Sequence, residues 1–258
     1  MKFKFTIISA LAAGIVSLFS ALQANGSPPD LLQVGYLPVV SKYAPGTIYG
    51  FMFENELPAP GLTVTLEFCQ NYEYNLRWSA LFCSDIQEFA ATTDDAGMYR
   101  FLDMPTLEVV TVTFGSEIYT RTQTYQAVWN NVDNNPQRLR WWRTQLLDEY
   151  IVGTTVLIGQ SEVSDVELLA PADNAVLSGP SAMFQWTPRV AAPSDTYAVC
   201  ESPTSMWPYW ALCYEAGPQD WLVRYLGSGQ DFTWNVLARD PTGGSGESFS
   251  TYTFYLSP

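Results

Sequence analysis

The chain has no histidine, and that one omission decides much of its chemistry. Ser-His-Asp and Cys-His nucleophile activation, histidine general bases and the common zinc hydrolase ligand sets all need an imidazole. What is left for recognition is carboxylates, four cysteines and many aromatic rings. Two stretches concentrate the rings between cysteines. Cys69 to Cys83 carries Tyr72, Tyr74 and Trp78, and Cys200 to Cys213 carries Trp207, Tyr209 and Trp210. Aromatics on loops held by a rigid sheet can stack on sugar rings or peptide side chains. The plain alternative is that they cover the end of a core or pack on a neighbouring domain. Pro208 puts at least one of Trp207 and Trp210 in irregular backbone.

Four cysteines permit three pairings. Their grouping favours Cys69–Cys83 and Cys200–Cys213, each closing a loop of about 15 residues and contributing roughly 3 kcal/mol on a chain-entropy account. A zinc site would need C-x-x-C-type spacing or histidine partners, and the chain has neither. Asp94 and Asp95, with Asp85 or Asp103 nearby, could offer oxygens to calcium. The same D-D-A-G run also reads as an ordinary hairpin turn, where Asp and Gly serve backbone geometry. Paired carboxylates could hydrolyse a glycosidic bond without histidine. Nothing marks two of them as set apart, so a hydrolase is the outlying alternative. No cofactor motif is present. Arg138-Leu-Arg140-Trp-Trp-Arg143 is the one basic cluster, expected to stack on indole or to pair with Asp148 and Glu149.

The first residues look like an export signal. Lys2 and Lys4 precede an uncharged apolar run from Phe5 to Leu22, followed by small residues at Ala24 to Ser27. An uncleaved anchor helix is the alternative, since 18 residues approach the minimum for a span. With residues 1–26 removed, the net charge becomes 10 − 26 = −16, starting from 12 basic and 26 acidic residues. Such a chain repels nucleic acid and anionic membranes. The expected location is secreted, extracellular or at the cell surface, where disulfides persist. The expected partner is an extracellular protein or a glycan.

These features need elements to hold them, and the apolar spacing is that of strands. Residues 27–46 hold four prolines and read as an extended leader, with Val34 to Val40 able to lie along a sheet edge. Leu62, Val64, Leu66 and Phe68 alternate with polar residues, as in a half-buried strand. Ile48, Gly50 and Met52 alternate with Tyr49, Phe51 and Phe53, so both faces there are apolar. Hairpins are expected across Asp94 to Gly97 and across Gly115-Ser116. Residues 126–160 form a connector that is either a short helix started by Asn135-Pro136 or an extended segment over Arg138 to Thr144, rejoining the sheet at Thr154 to Ile158. The all-β context favours the extended form. Val163 to Leu169 is then the last strand of a first domain. Pro171 to Pro180 is a joint, and Ala182 to Trp186 opens a second core.

GTIYGFMFENELPAPGLTVTL followed by ATTDDAGMYRFLDMP resembles the carboxypeptidase-regulatory-like, or transthyretin-like, sandwich. The matching positions include Gly50, Pro58, Gly61, Val64, Thr93, Asp94, Gly97, Tyr99, Phe101 and Pro105, with the cysteine-closed excursion as the departure. The resemblance implies a non-catalytic module over 47–169. Phe184-Gln-Trp186-Thr-Pro188, Tyr197 and Phe232-Thr-Trp234-Asn-Val236-Leu-Ala238 resemble a fibronectin type III or bacterial immunoglobulin-like sandwich, over 170–258. That resemblance implies that Trp186 and Trp234 are core packing. The order of parts is also similar to a recurring type of bacterial exported protein. The whole therefore reads as all-β, two tandem β-sandwiches forming a non-enzymatic structural or binding module. Binding of carbohydrate or cell-wall polymer through the Trp207–Trp210 loop is the main alternative.

Overall fold

The computed structural model describes residues 46–76, 79–207 and 211–258. The export signal, the leader, Trp78, Tyr209 and Trp210 lie outside the described residues. The described residues all fall within one compact unit, and among them no helix is long and apolar enough to cross a membrane.

The first half builds ten strands, β1 (Thr47–Glu54), β2 (Leu57–Pro58), β3 (Thr63–Asn75), β4 (Ala80–Thr92), β5 (Met98–Leu102), β6 (Val109–Phe114), β7 (Glu117–Thr122), β8 (Thr124–Asn130), β9 (Trp141–Arg143) and β10 (Thr155–Glu162). Strand β1 is the middle of one sheet, parallel to β10 on one side and antiparallel to β5 and β2 on the other. The facing sheet runs β4-β3-β8-β9. The period-two reading holds at β3, where Val64, Leu66 and Phe68 are buried. In β1, Ile48, Gly50 and Met52 point inward, while the rings of Tyr49, Phe51 and Phe53 line the other face and pack on one another. Gly50 is required, because a Cβ there would run into the Tyr99 ring and stand 2.8 Å from the Gly159 carbonyl oxygen.

The second half adds β11 (Glu167–Ala170), β12 (Ala175–Ser178), β13 (Ser181–Thr187), β14 (Thr196–Pro203), β15 (Leu212–Gly217), β16 (Trp221–Tyr225), β17 (Gln230–Arg239), β18 (Ser245–Glu247) and β19 (Tyr252–Ser257). One layer is β11-β13-β16, and the other is β15-β14-β17 with β19. This is the layering of a fibronectin type III or immunoglobulin-like sandwich. Trp186 and Trp234 are buried in it with Phe184, Phe232 and Phe254, and the Phe184 ring meets Trp234 at 5.1 Å.

Two expectations change, and the open alternative for the connector is decided as favoured. Glu167–Ala170 pairs with β13, so it opens the second sandwich instead of closing the first. Ala182 to Trp186 is consequently the middle strand of its sheet and the third strand of this half. The described residues of the Cys69–Cys83 stretch are mostly strand, not loop: β3 and β4, 13 residues each, stay paired through Asn75 and Ala80 with bulges around Asn71. Residues 126–160 take the extended option, as β9 and β10.

The two halves share a sheet. The last edge of the second sandwich is divided into β18 and β19, which pair with different stretches of β17. Strand β19 then takes β12 as its outer neighbour, whereas β18 takes β9 of the first half. A ten-stranded sheet therefore crosses from one half to the other. Gly246 allows the crossing, since a Cβ there would lie 2.5 Å from Trp142 and 2.6 Å from the Trp141 carbonyl.

Candidate functional site

Both expected disulfides form, Cys69–Cys83 and Cys200–Cys213. Cys200 and Cys213 sit directly opposite each other on β14 and β15. They clamp the loop in which a short 3-10 turn, Thr204–Met206, leads to Trp207. The Trp207 amide donates to the Thr204 carbonyl at 3.4 Å, and its side chain is half-buried beside exposed Met206. Below this end of the sandwich lies Glu201, buried on β14, where desolvation raises its carboxyl pKa and Arg224 draws it back. The Arg224 guanidinium stacks 3.4 Å from the Tyr214 ring centroid.

The rings of the first stretch have a different job. The Tyr72 hydroxyl donates to the Thr122 carbonyl at 3.1 Å, and Arg121 lies over its ring. Tyr74 stacks on Phe114 at 4.7 Å and on Tyr119 at 5.0 Å. Both tyrosines thus fasten the β6–β7 hairpin to the extension of β3. The structure does not bring them near a common concavity with Trp207.

The acidic turn is satisfied by its own backbone. Asp94 Oδ1 accepts from the amides of Ala96 and Met98, each at 3.0 Å, in a turn that carries the chain from β4 in one sheet to β5 in the other, so the hairpin expected across Asp94 to Gly97 does not form. Among the described residues no cluster of three potential ligands could hold a metal ion. Two clefts of about 200 and 300 Å³ each hold a single carboxylate, Asp133 and Asp148 respectively. A two-carboxylate hydrolysis would need a pair in one place.

The arginine cluster is paired, though not with Asp148 and Glu149. Arg138 forms a salt bridge with Glu54 at 2.7 Å, and Arg140 with Glu247 at 3.1 Å. Arg143 lies over Trp141, whose indole N–H donates to Glu247 at 2.6 Å. Glu247 also accepts from the Asn235 side-chain amide, so this one carboxylate on β18 gathers donors from both halves. The cluster therefore belongs to the junction.

One surface is absent from any sequence-derived expectation. On the outer face of the β11-β13-β16 layer, Trp221, Val223 and Tyr225 project outward from β16, with Tyr225 73% exposed. Met183 lies opposite Val223, and exposed Leu169 extends the face across β11. Gln185 stands opposite Trp221 and Ser181 opposite Tyr225. The signal was available as the alternation in WLVRY, but it does not say which set faces out.

No family model matches the chain, and no curated protein matches it. Solved structures with similarity include a DUF3823 family protein from Bacteroides uniformis, at 11% identity and TM-score 0.28, covering 83% of this chain and 100% of that one. A two-domain fibronectin type III segment from chicken tenascin is 13% identical with TM-score 0.25, covering 77% and 94%. A putative carbohydrate binding protein from Bacteroides uniformis is 7% identical with TM-score 0.25, covering 83% and 100%. At these scores the superpositions carry no argument, and the sandwich assignment stands on the strand pairing.

Proposed function

We propose that the chain is an exported, non-enzymatic module of the extracellular space or cell surface that presents a binding surface at a fixed orientation. The supporting observation is the pairing of β18 with both β17 and β9, which makes one sheet of strands from the two halves. A flexible tether between sandwiches would leave each edge separate. Continuous backbone pairing instead couples their unfolding, and the disulfides suit an oxidising compartment. The first half is read as a transthyretin-like sandwich on the strength of turn residues such as Pro58, Gly61, Asp94 and Gly97, and the boundary between modules is placed just before β11.

The test is calorimetric unfolding of the oxidised protein. One cooperative transition, with calorimetric and van't Hoff enthalpies equal, is expected. Two separated transitions would refute the fixed-orientation reading.

A second reading, glycan or cell-wall polymer held by the Trp207–Trp210 loop, is favoured by the half-exposed Trp207 on a disulfide-clamped turn. Trp207→Ala should then weaken polymer binding without changing the unfolding midpoint.

A further inference from the structure

We propose that the outer face of the β11-β13-β16 layer binds a neutral polysaccharide, with Trp221 and Tyr225 as its stacking rings. This deepens the reading of the chain as a binding module and rests on it. Isolated exposed apolar residues are normal on a protein surface, but contiguous ones are not. Here Trp221, Val223 and Tyr225 are exposed at alternate positions of one strand, with exposed Met183 directly beside Val223. The inward set of that same strand is Leu222 and Arg224. The phase is therefore the reverse of what burial of the largest apolar groups would select.

Size and charge choose the occupant. Three strands about 4.8 Å apart, five residues long at roughly 3.4 Å each, give a face on the order of 250 Å². A stable protein interface needs about 800 Å² from each partner, so a folded protein or a second copy would find too little here. A short run of sugar rings needs far less. Arg224 is the single cation on these three strands, and it turns inward onto Tyr214. The chain carries a net charge of −14, so an anionic polymer would be repelled.

The chemistry of the face also alternates as a sugar's does. A pyranose offers C–H groups on its faces and hydroxyls around its rim. The electron-rich faces of Trp221 and Tyr225 suit the former. Gln185 and Ser181, each directly across the strand pair from one ring, suit the latter. The two rings are four residues apart on one strand, roughly 13 Å, so a polymer lying along β16 can touch both.

The test is native affinity electrophoresis of the full oxidised chain through gels containing laminarin, hydroxyethyl cellulose or galactomannan, with polygalacturonate as the anionic control. Retardation in at least one neutral gel is expected. The Trp221→Ala/Tyr225→Ala variant should weaken it roughly tenfold or more, and Leu57→Ala, at an exposed position of the first half, should leave it unchanged. No retardation in any neutral gel would overturn the proposal, as would retardation confined to polygalacturonate. Loss of binding in Trp207→Ala but not in the double variant would move the site to the loop. A dimer in sedimentation that dissociates in the double variant, without glycan retardation, would make the face a self-association surface and defeat the proposal. None of these results touches the cooperative unfolding on which the fixed-orientation reading depends, so the two can fail separately.

Discussion

The guanidinium carbon of Arg189 lies 4.8 Å above the ring centroid of Trp142, and the two residues come from opposite halves of the chain. Arg189 follows β13, and Trp142 is the centre of β9. The same guanidinium donates to Asp195 through Nε at 2.8 Å, forms a second bond to it through Nη2, and reaches the Glu162 carbonyl on β10. Its side chain is wholly buried, and that of Asp195 nearly so. A buried cation is tolerated only when its hydrogen bonds are met. Here they are met by Asp195 from its own sandwich and the Glu162 carbonyl from the other, with the Trp142 ring covering the guanidinium face.

Replacing Arg189 with Met should therefore cost about 3–5 kcal/mol, because Asp195 would be left buried without its partner. Desolvation already raises the Asp195 carboxyl pKa, and Arg189 is the main group opposing it. Urea unfolding measures the loss. An Arg189→Met/Asp195→Asn double variant should recover part of it. A single variant within about 0.5 kcal/mol of the parent would show that the junction does not depend on this pair.

Gly246→Ala tests the shared sheet directly. The added methyl would meet Trp142, the Trp141 carbonyl and Leu139 at 2.5 to 2.8 Å, with backbone among the obstructing atoms. Separation of β18 from β9 is expected, at a cost of about 1–3 kcal/mol. Calorimetry should show the single transition broadening or dividing. An unchanged transition would mean that the two halves are coupled by other contacts.

The parts legible in the sequence were those where one face of a strand is plainly apolar. Leu62 to Phe68 and Ala182 to Trp186 announced their own phase, and the grouping of cysteines gave their pairing. Where both phases are apolar, the sequence was silent. In WLVRY the outward set is Trp221, Val223 and Tyr225, because β13 must turn Ala182, Phe184 and Trp186 inward, and pairing with it fixes the phase of β16. No local signal carries that constraint. Nothing local marks Gly246 as the crossing point or Glu247 as the shared acceptor, since their partners lie about a hundred residues earlier. The arginine cluster reads as structural from its sequence, but its partners at Glu54 and Glu247 are long-range, and nothing local favours them over the nearby Asp148 and Glu149.

Asp165 gives the junction a pH dependence. Its carboxyl accepts from the Phe249 amide at 2.9 Å, yet burial pushes its pKa up from 3.8 to about 6 despite that bond and the charges of Arg189 and Arg140. The folded form thus holds its proton to higher pH than the unfolded form does. The stability from this group is complete below about pH 4 and is lost as pH rises through about 6. Asp165→Asn keeps an acceptor for Phe249 and removes the titration. Its melting temperature should exceed the parent's by a margin that grows between pH 4 and 7, approaching about 2 kcal/mol of added stability. A margin that shrinks over that range would reverse the assignment.

Tyr74 is expected to act locally. The β6–β7 hairpin pairs only with itself, and an isolated two-stranded hairpin is marginal in water. Its anchorage is the stack of Tyr74 between Phe114 and Tyr119, with the Tyr72 hydroxyl on Thr122 nearer the base. Each ring pair contributes about 0.5–1.5 kcal/mol beyond its buried area. Tyr74→Ala should therefore speed amide exchange across 109–122, most strongly at the Gly115-Ser116 end, while the global midpoint moves little because the sandwich cores are untouched. Unchanged protection in the hairpin would mean that the stack is not what holds it. An equal loss of protection throughout the protein would place Tyr74 in the cooperative core, contrary to its half-exposed position.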